Sequence, residues 1–451
     1  MSPTRLAFLV FCVLCVASLS AQAVEIKEVT APKSGVTAWL VEDHHVPLLS
    51  LHMAFDGGSA TDPADKQGLA ALTLAALTQG AATYSATSFQ KELADHSIAL
   101  SFSVGPDASE ATLKCLTEDR PKALTLLHLA LTQPRFDPKD IARLRARQEA
   151  SIHQQFADPD WQGRYALLSQ IFAGHPYAQR HFGTLQTLPM IARADMVSFV
   201  QNRLARDNVT LAVAGDITPR DLADLLDRLF ADLPAHAAPT VIPDSSLPND
   251  PATLLVRRES TQSSLLFALP GPLRNDPDWY AAEIANYILG GGGFSARLMQ
   301  EVRDKRGLTY GIGTGLAPFR HAGLILGQAS IDNPKVAEAL TVTRATMQRL
   351  HEDGPTAEEI EAAKNYLTGA QPLSLTSTDK IASVLIGMQR EGLGIDYLDR
   401  FPDLIRSVTP DAVKAALHRF FDPAQATWVL VGKPEGMAAG AFTQTRESVK
   451  Q

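Results

Sequence analysis

The apolar-rich stretches Val36–Glu42 and Pro47–Phe55 read as two strands with a turn between them. Lys66–Thr78 is apolar on every side, so the pattern predicts a helix buried all round rather than one with a wet face. Ser88–His96 predicts a second helix, and Ala99–Val104 with Glu110–Leu116 predicts a strand pair. Asp119–Leu131 and Pro138–Gln155 read as two long helices. Strands and helices mix without strict alternation, which favours α+β layers over a parallel α/β sheet.

The pattern then repeats. Thr187–Ile217 and Ser407–Pro434 each read as a capped amphipathic helix, a short acidic loop and an apolar strand ending in glycine. Asp195 matches Asp411, Val197 matches Val413 and Arg203 matches Arg419, each 216 positions apart. Asp62-Pro63 and Asp276-Pro277 both precede helices that end near glycine, at Gly80 and Gly290. Two matches in the same order predict a duplicated domain, because the period is far too long for a solenoid. Between the halves, Ala231–Leu254 holds Pro234, Pro239, Pro243, Pro248 and Pro251 among Asp, Ser and Asn, the composition of an extended linker. The expected organisation is a leader at 1–23, an N-terminal domain at 24–233, a linker and candidate hinge at 234–252, a C-terminal domain at 253–436 and a tail at 437–451.

Composition adjusts this picture at a few points. The chain has 451 residues, 45% hydrophobic and 20% charged, with a formal net charge of −8. That balance excludes a disordered chain, a collagen and a disulfide scaffold, and an acidic protein is a poor match for nucleic acid or an anionic membrane. Arg5, the apolar run Leu6–Val16 and the small residues around Ala21 and Ala23 read as a secretory signal cut after Ala23. Cys12 and Cys15 lie inside that leader, and Phe11 and Leu14 before them do not suit lipidation. The remaining chain keeps one thiol, Cys115, which cannot form an internal disulfide. A periplasmic or otherwise secreted protein, off the membrane after signal cleavage, is the expectation.

The helix at Lys66–Thr78 sits in the setting D-G-G-S-A-T-D-P-A-D-K-Q-G-L-A, Asp56 to Ala70. With the duplicated halves, the linker, and Gly174-His175-Pro176-Tyr177 followed by Gly183, the chain resembles the pitrilysin/insulinase family of zinc peptidases, which includes the mitochondrial processing peptidase. The resemblance implies two homologous α/β-roll domains, each a mostly antiparallel sheet packed with helices. It also implies H-x-x-E-H on this helix, where two His at i and i+4 grip zinc and the Glu activates water. Here those positions are Ala71, Leu74 and Ala75, and the family's third ligand falls on Ala150 or Ser151, with Glu149 out of step. The inherited zinc site is therefore expected to be lost.

Other groups offer no replacement. No two histidines are spaced i, i+3 or i, i+4. His44 and His45 are adjacent and would point apart on a strand, and His175 and His181 flank a Pro/Gly loop where a structural role is the plainer reading. His52 with Asp56, and His418 with Asp422, are lone pairs. No G-x-S-x-G or Cys/His nucleophile stands out.

The second half opens with Gly290-Gly291-Gly292-Gly293, then Phe294 and Ser295. The plain reading is a flexible turn with Ser295 as a possible N-cap, before a helix to about Lys305 whose buried stripe is Phe294, Leu298 and Val302. Gly307 would cap it, and Leu308–Ile312 would follow as a strand. Arg303-Asp304-Lys305-Arg306-Gly307-Leu308-Thr309-Tyr310 resembles the family's Arg/Tyr motif. The resemblance implies that Arg303 and Tyr310 hold the substrate backbone near a metal, Arg by donating to a carbonyl and Tyr by steadying developing charge. It also implies that Gly290, Gly291, Gly292 and Gly293 gather substrate.

Lost zinc ligands beside a retained Arg/Tyr pair point to the zinc-free subunit of an exported two-chain peptidase. The partner would be a zinc-bearing relative with an intact H-x-x-E-H, and the substrates unfolded peptides. The competing reading is a catalytically inactive peptide-binding or assembly protein; an independent peptidase of another mechanism has no supporting motif.

Overall fold

The computed structural model describes residues 24–245, 251–438 and 440–447. The expected leader, 1–23, lies outside the described residues. Two six-stranded sheets carry the fold. Across the first, the strands run Lys27–Thr30, Thr37–Glu42, Val209–Gly215, Leu48–Asp56, Ala108–Leu116 and Ala99–Val104. Across the second they run Gln444–Glu447, Thr253–Arg257, Thr427–Gly432, Gln262–Pro270, Ala322–Asp332 and Thr309–Phe319. Five consecutive positions correspond, and each sheet is antiparallel except at its second and third strands, and also at the Gln444–Glu447 edge. The sheets differ in that outer edge, taken from before the core of the first half and from the stretch set apart as a tail in the second.

The duplication holds at single residues. Arg203 donates to the carbonyl of Thr61, beside Asp62, at 3.1 Å. Its counterpart Arg419 pairs with Asp276 at 2.9 Å and Asp278 at 2.7 Å. Each arginine thus ties its amphipathic helix to the Asp-Pro turn of its own half. Gly215 and Gly432 end equivalent strands at φ +129° and +151°. A Cβ on Gly215 would lie 2.1 Å from the Leu48 carbonyl oxygen, and one on Gly432 2.4 Å from the Ser263 hydroxyl. Glycine is required there by conformation and by space together.

The expected strands and helices form within a few residues of their predicted ends. What the pattern does not foretell is where two helices go. Pro159–Ile171 belongs to the first half in sequence, yet packs on Gln262–Pro270 and Thr427–Gly432 of the second sheet. Its Ala166, Leu167 and Ile171 join Leu254, Val256, Leu266 and Val431 in one buried cluster. Thr378–Arg390 makes the reciprocal crossing onto Val209–Gly215 and Leu48–Asp56, where Ile381, Leu385 and Met388 cover Trp39, Val41 and Ala212. Polar contacts fix the register of both. Ser50 and Thr378 share a buried hydroxyl bond of 2.9 Å, Gln389 donates to the Leu211 carbonyl at 2.7 Å, and the Ser264 hydroxyl donates to Asp160 at 2.6 Å.

This exchange bears on the Pro-rich segment as a candidate hinge. Opening the halves about it would strip a helix from each sheet, and every large apolar side chain so exposed costs about 1.5–3 kcal/mol. The described part of the segment is also tied to both halves. Ala238 donates to the Asn202 carbonyl at 2.7 Å, and Ser245 to the His321 carbonyl at 2.9 Å.

Candidate functional site

The helix Leu69–Ala76 is built as a rigid, buried platform. Gly68 enters it at φ +92°, so close to the Phe182–Gly183 backbone that a Cβ would lie 2.9 Å from it. The Asp62 carboxylate accepts the amide protons of Gly68 at 3.0 Å and Ala70 at 3.1 Å, satisfying donors that a helix N-terminus leaves unpaired. Burial pushes the Asp62 carboxyl up to about 7, against the pull of these amides and of Arg203.

On this platform Ala71 and Leu74 are buried and Ala75 is exposed. Helix Pro138–Ala157 packs beside it and carries Ala150, exposed, and Ser151, partly buried. Methyl and isobutyl groups offer zinc no lone pair and water no base, so the residues present do not fit the metal the family's helix holds. Among the described residues, no group of three or more His, Cys, Asp or Glu could hold a metal ion.

The histidines serve local structure. His44 and His45 occupy the turn between strands, where His44 bonds Asp216 at 2.6 Å and Glu42 at 2.9 Å, and His45 bonds Asp43 at 2.7 Å. His52 pairs with Asp379 of the crossing helix at 3.0 Å rather than with Asp56, whose partner is Arg320 at 2.8 Å. His418 stacks edge-on against His351 instead of meeting Asp422. His175 holds the Pro243 carbonyl at 2.8 Å, and His181 is bonded to the Ser59 hydroxyl. Burial lowers the His181 pKa and keeps it neutral. The Cys115 thiol is buried and pushed up to about 11, so it is inert.

The second half brings Arg303 and Tyr310 together. Both line one cleft of about 370 Å³, with Gln262, Ser330 and Lys335 around it. Tyr310 is 86% exposed at the start of the edge strand Thr309–Phe319. The Arg303 guanidinium lies 5.0 Å from the Phe294 ring centre and pairs with Asp304 at 2.6 Å. Gly307, at φ +60°, ends the helix as expected, its amide donating to the Arg303 carbonyl at 2.7 Å.

The segment before Arg303 departs from expectation. The four glycines do not form a free turn: Tyr287–Gly291 closes as a π-helical turn that prolongs helix Trp279–Asn286, with Gly292 donating to the Tyr287 carbonyl at 2.8 Å. A Cβ on Gly290 would lie 2.6 Å from the Thr314 amide, and one on Gly291 2.7 Å from the Asn286 side-chain amide. Gly290 is buried, Gly292 is partly buried, and Gly291 and Gly293 are exposed. Ser295 is not an N-cap; its hydroxyl donates to the Gly292 carbonyl at 2.8 Å. Met299–Asp304 is again π-helical, and Leu298 and Val302 stay buried; Phe294 lies in a separate 3-10 turn, Gly293–Ser295, which extended Ala296 breaks from that helix, and is 69% exposed.

Gly311, Gly313 and Gly315 recur at every second position of a strand, and two-residue periodicity places such residues on one face. They border a groove of about 650 Å³ beneath the crossing helix Pro159–Ile171, and this groove meets the Arg303/Tyr310 cleft at Ser330.

Comparison with known proteins agrees with this architecture. Residues 38–184 match the insulinase (peptidase family M16) model, and residues 191–367 match the peptidase M16 inactive domain. A Helicobacter pylori protein named non-peptidase homolog YmxG is 24% identical over 79% of this chain and 82% of its own length. A Mycobacterium tuberculosis protein named as an uncharacterized zinc protease is 26% identical over 60% of this chain and 62% of its own. Among solved structures, a peptidase M16 inactive domain from Pseudomonas fluorescens superposes with a TM-score of 0.85 at 27% identity, covering 93% of this chain and all of that one. Two sheets of one topology, a platform helix without metal-binding groups and these matches lead to one conclusion: the chain belongs to the insulinase (M16) peptidase family, as an inactive-type homologue.

Proposed function

We propose that this protein is the zinc-free subunit of an exported two-chain metallopeptidase, lending Arg303 and Tyr310 to the zinc site of a partner. The observation that carries the reading is the contrast between the two halves. Ala71, Leu74 and Ala75 can supply no hydrolytic chemistry, whereas exposed Tyr310 and half-buried Arg303 share one cleft. Neither has a buried packing role that would explain keeping it. A guanidinium donates to peptide carbonyls, and a phenol can stabilise charge developing on an attacked carbonyl. The partner would be a relative with intact H-x-x-E-H, and the substrates unfolded peptides.

The test is peptide hydrolysis by the secreted form of the chain, alone and mixed with a zinc-bearing relative from the same source, with zinc counted in each sample. Activity that appears only on mixing supports the proposal. Chelator-sensitive activity with bound zinc in the chain alone refutes it. The second reading, an inactive peptide-binding or assembly protein, draws on the non-peptidase name of the Helicobacter relative. Arg303→Ala and Tyr310→Phe separate the two: lost hydrolysis with an intact complex supports the first, and unchanged function supports the second.

A further inference from the structure

The edge strand Thr309–Phe319 contains three alternating glycines, and at two of them, Gly311 and Gly315, neither conformation nor space requires glycine. None of Gly311, Gly313 and Gly315 has a positive φ. A Cβ on Gly315 would meet nothing within 4 Å, one on Gly311 only the Met299 methyl at 4.0 Å, and one on Gly313 a single carbonyl oxygen at 3.2 Å. Glycine inside a strand weakens it and leaves nothing to pack, so an alternating run needs another reason. The register supplies one. Ile312 and Leu316 face the helices of their own half, whereas Ala317 and Phe319 pack into the cluster of the crossing helix. Gly313 and Gly315 share the second face, opposite Gln328 and Leu326 of the neighbouring strand. Where side chains would fill the space under the crossing helix, the groove of about 650 Å³ stays open.

Its walls are chemically distinct. Leu167, Leu168, Leu266 and Leu326 are apolar, and Asp160 and Arg164 come from the crossing helix. Asp160 is engaged by the Ser264 hydroxyl. Arg164 is exposed and has no ion-pair or hydrogen-bond partner among the described residues.

We infer that this groove is a peptide-binding subsite: an extended peptide lies along the glycine edge strand, seats one large apolar side chain on the floor of Gly313 and Gly315, and sets a carboxylate against Arg164. An edge strand offers unpaired backbone groups to an added strand, and the bare glycine face admits a side chain at the alternate position. The free guanidinium sets the charge preference, because a carboxylate matches its planar fork. The inference rests on the reading that unfolded peptides reach this chamber, but it requires no hydrolysis and no partner.

Fluorescence anisotropy with the chain alone tests it. The probe is a labelled unstructured peptide of Gly and Ser carrying one Phe-Glu pair; matched peptides carry Ala-Glu or Phe-Gln. The Phe-Glu peptide is expected to bind, and each single replacement to weaken binding at least several-fold. Gly315→Leu, whose Cβ would meet nothing within 4 Å, is expected to weaken binding at least tenfold with an unchanged thermal midpoint. Arg164→Gln, on an exposed helix face, is expected to erase the preference for Glu over Gln and keeps the test valid if Gly315→Leu fails to fold. Binding of the Phe-Glu peptide that is absent, or that is unaltered in both variants, overturns the inference. Failure of the mixing experiment with binding intact would instead count against the peptidase role alone.

Discussion

If each half carries the other's helix, damage to one crossing helix must destabilise both halves together. Leu385 on Thr378–Arg390 is fully buried against the first sheet, in the cluster with Trp39 and Val41. Leu385→Ala removes three carbons from a packed site and is expected to cost about 3 kcal/mol, within the roughly 2–5 kcal/mol range for such truncations. The size of the thermal shift then reports the size of the cooperative unit. With about 2.1 cal/mol/K of unfolding entropy per residue, the midpoint falls about 3–4 °C if both halves melt as one unit, and about 7 °C if only one half melts. The assay follows thermal and urea unfolding through Trp39 in the first sheet and Trp428 in the second, in versions that retain one tryptophan at a time. Coincident midpoints that move together are expected. A Trp39 transition that shifts while the Trp428 transition stays in place would refute the interlocked picture.

The mirror crossing gives a second test: a Cβ on Gly163 would lie 2.3 Å from Leu266 and 3.2 Å from Val431, so Gly163→Ala should overpack the other sheet and cost about 1–3 kcal/mol by urea unfolding. Asp62 predicts a pH dependence. Its folded pKa of about 7 exceeds the ordinary 3.8, so the folded state binds more protons between these values, and stability falls as pH rises from about 4 to 7. Asp62→Asn should flatten that slope in denaturation midpoints measured across the range; an unchanged slope would show that another group is responsible. Tyr310→Phe should leave the midpoint within about 0.5 kcal/mol, because the side chain is exposed, while lowering hydrolysis by the mixed complex about 100-fold or more, the scale for a lost oxyanion donor. Equal activity with and without the hydroxyl would remove Tyr310 from the reaction.

Residues that act through their own identity were legible before the fold was known. The loss of metal chemistry at Ala71, Leu74 and Ala75 is a fact of side-chain composition that no tertiary arrangement can reverse. Strand and helix positions followed from periodicity, because burial of one face imposes a two- or 3.6-residue rhythm on the chain. The matched Asp195/Asp411 and Arg203/Arg419 announced two copies of one domain, and each arginine sits at its own Asp-Pro turn.

Periodicity says which face of a helix is buried and is silent on what buries it. Pro159–Ile171 and Thr378–Arg390 present ordinary apolar stripes, and only the packed structure assigns each to the opposite half. The same limit explains the misplaced Phe294: the i, i+4 stripe presumes one continuous helix, whereas Phe294 lies in a 3-10 turn that extended Ala296 separates from the helix carrying Leu298 and Val302. Ser295, read as a cap, ends that turn and bonds backward to Gly292. The alternating glycines of 311–315 were visible in the sequence, but an open groove is a property of what lies opposite a residue. Sequence determined that Ala71, Leu74 and Ala75 offer zinc no ligand and that the chain is built twice; tertiary packing alone decided that the copies interlock, because long-range contacts are set by complementary surfaces and not by local pattern.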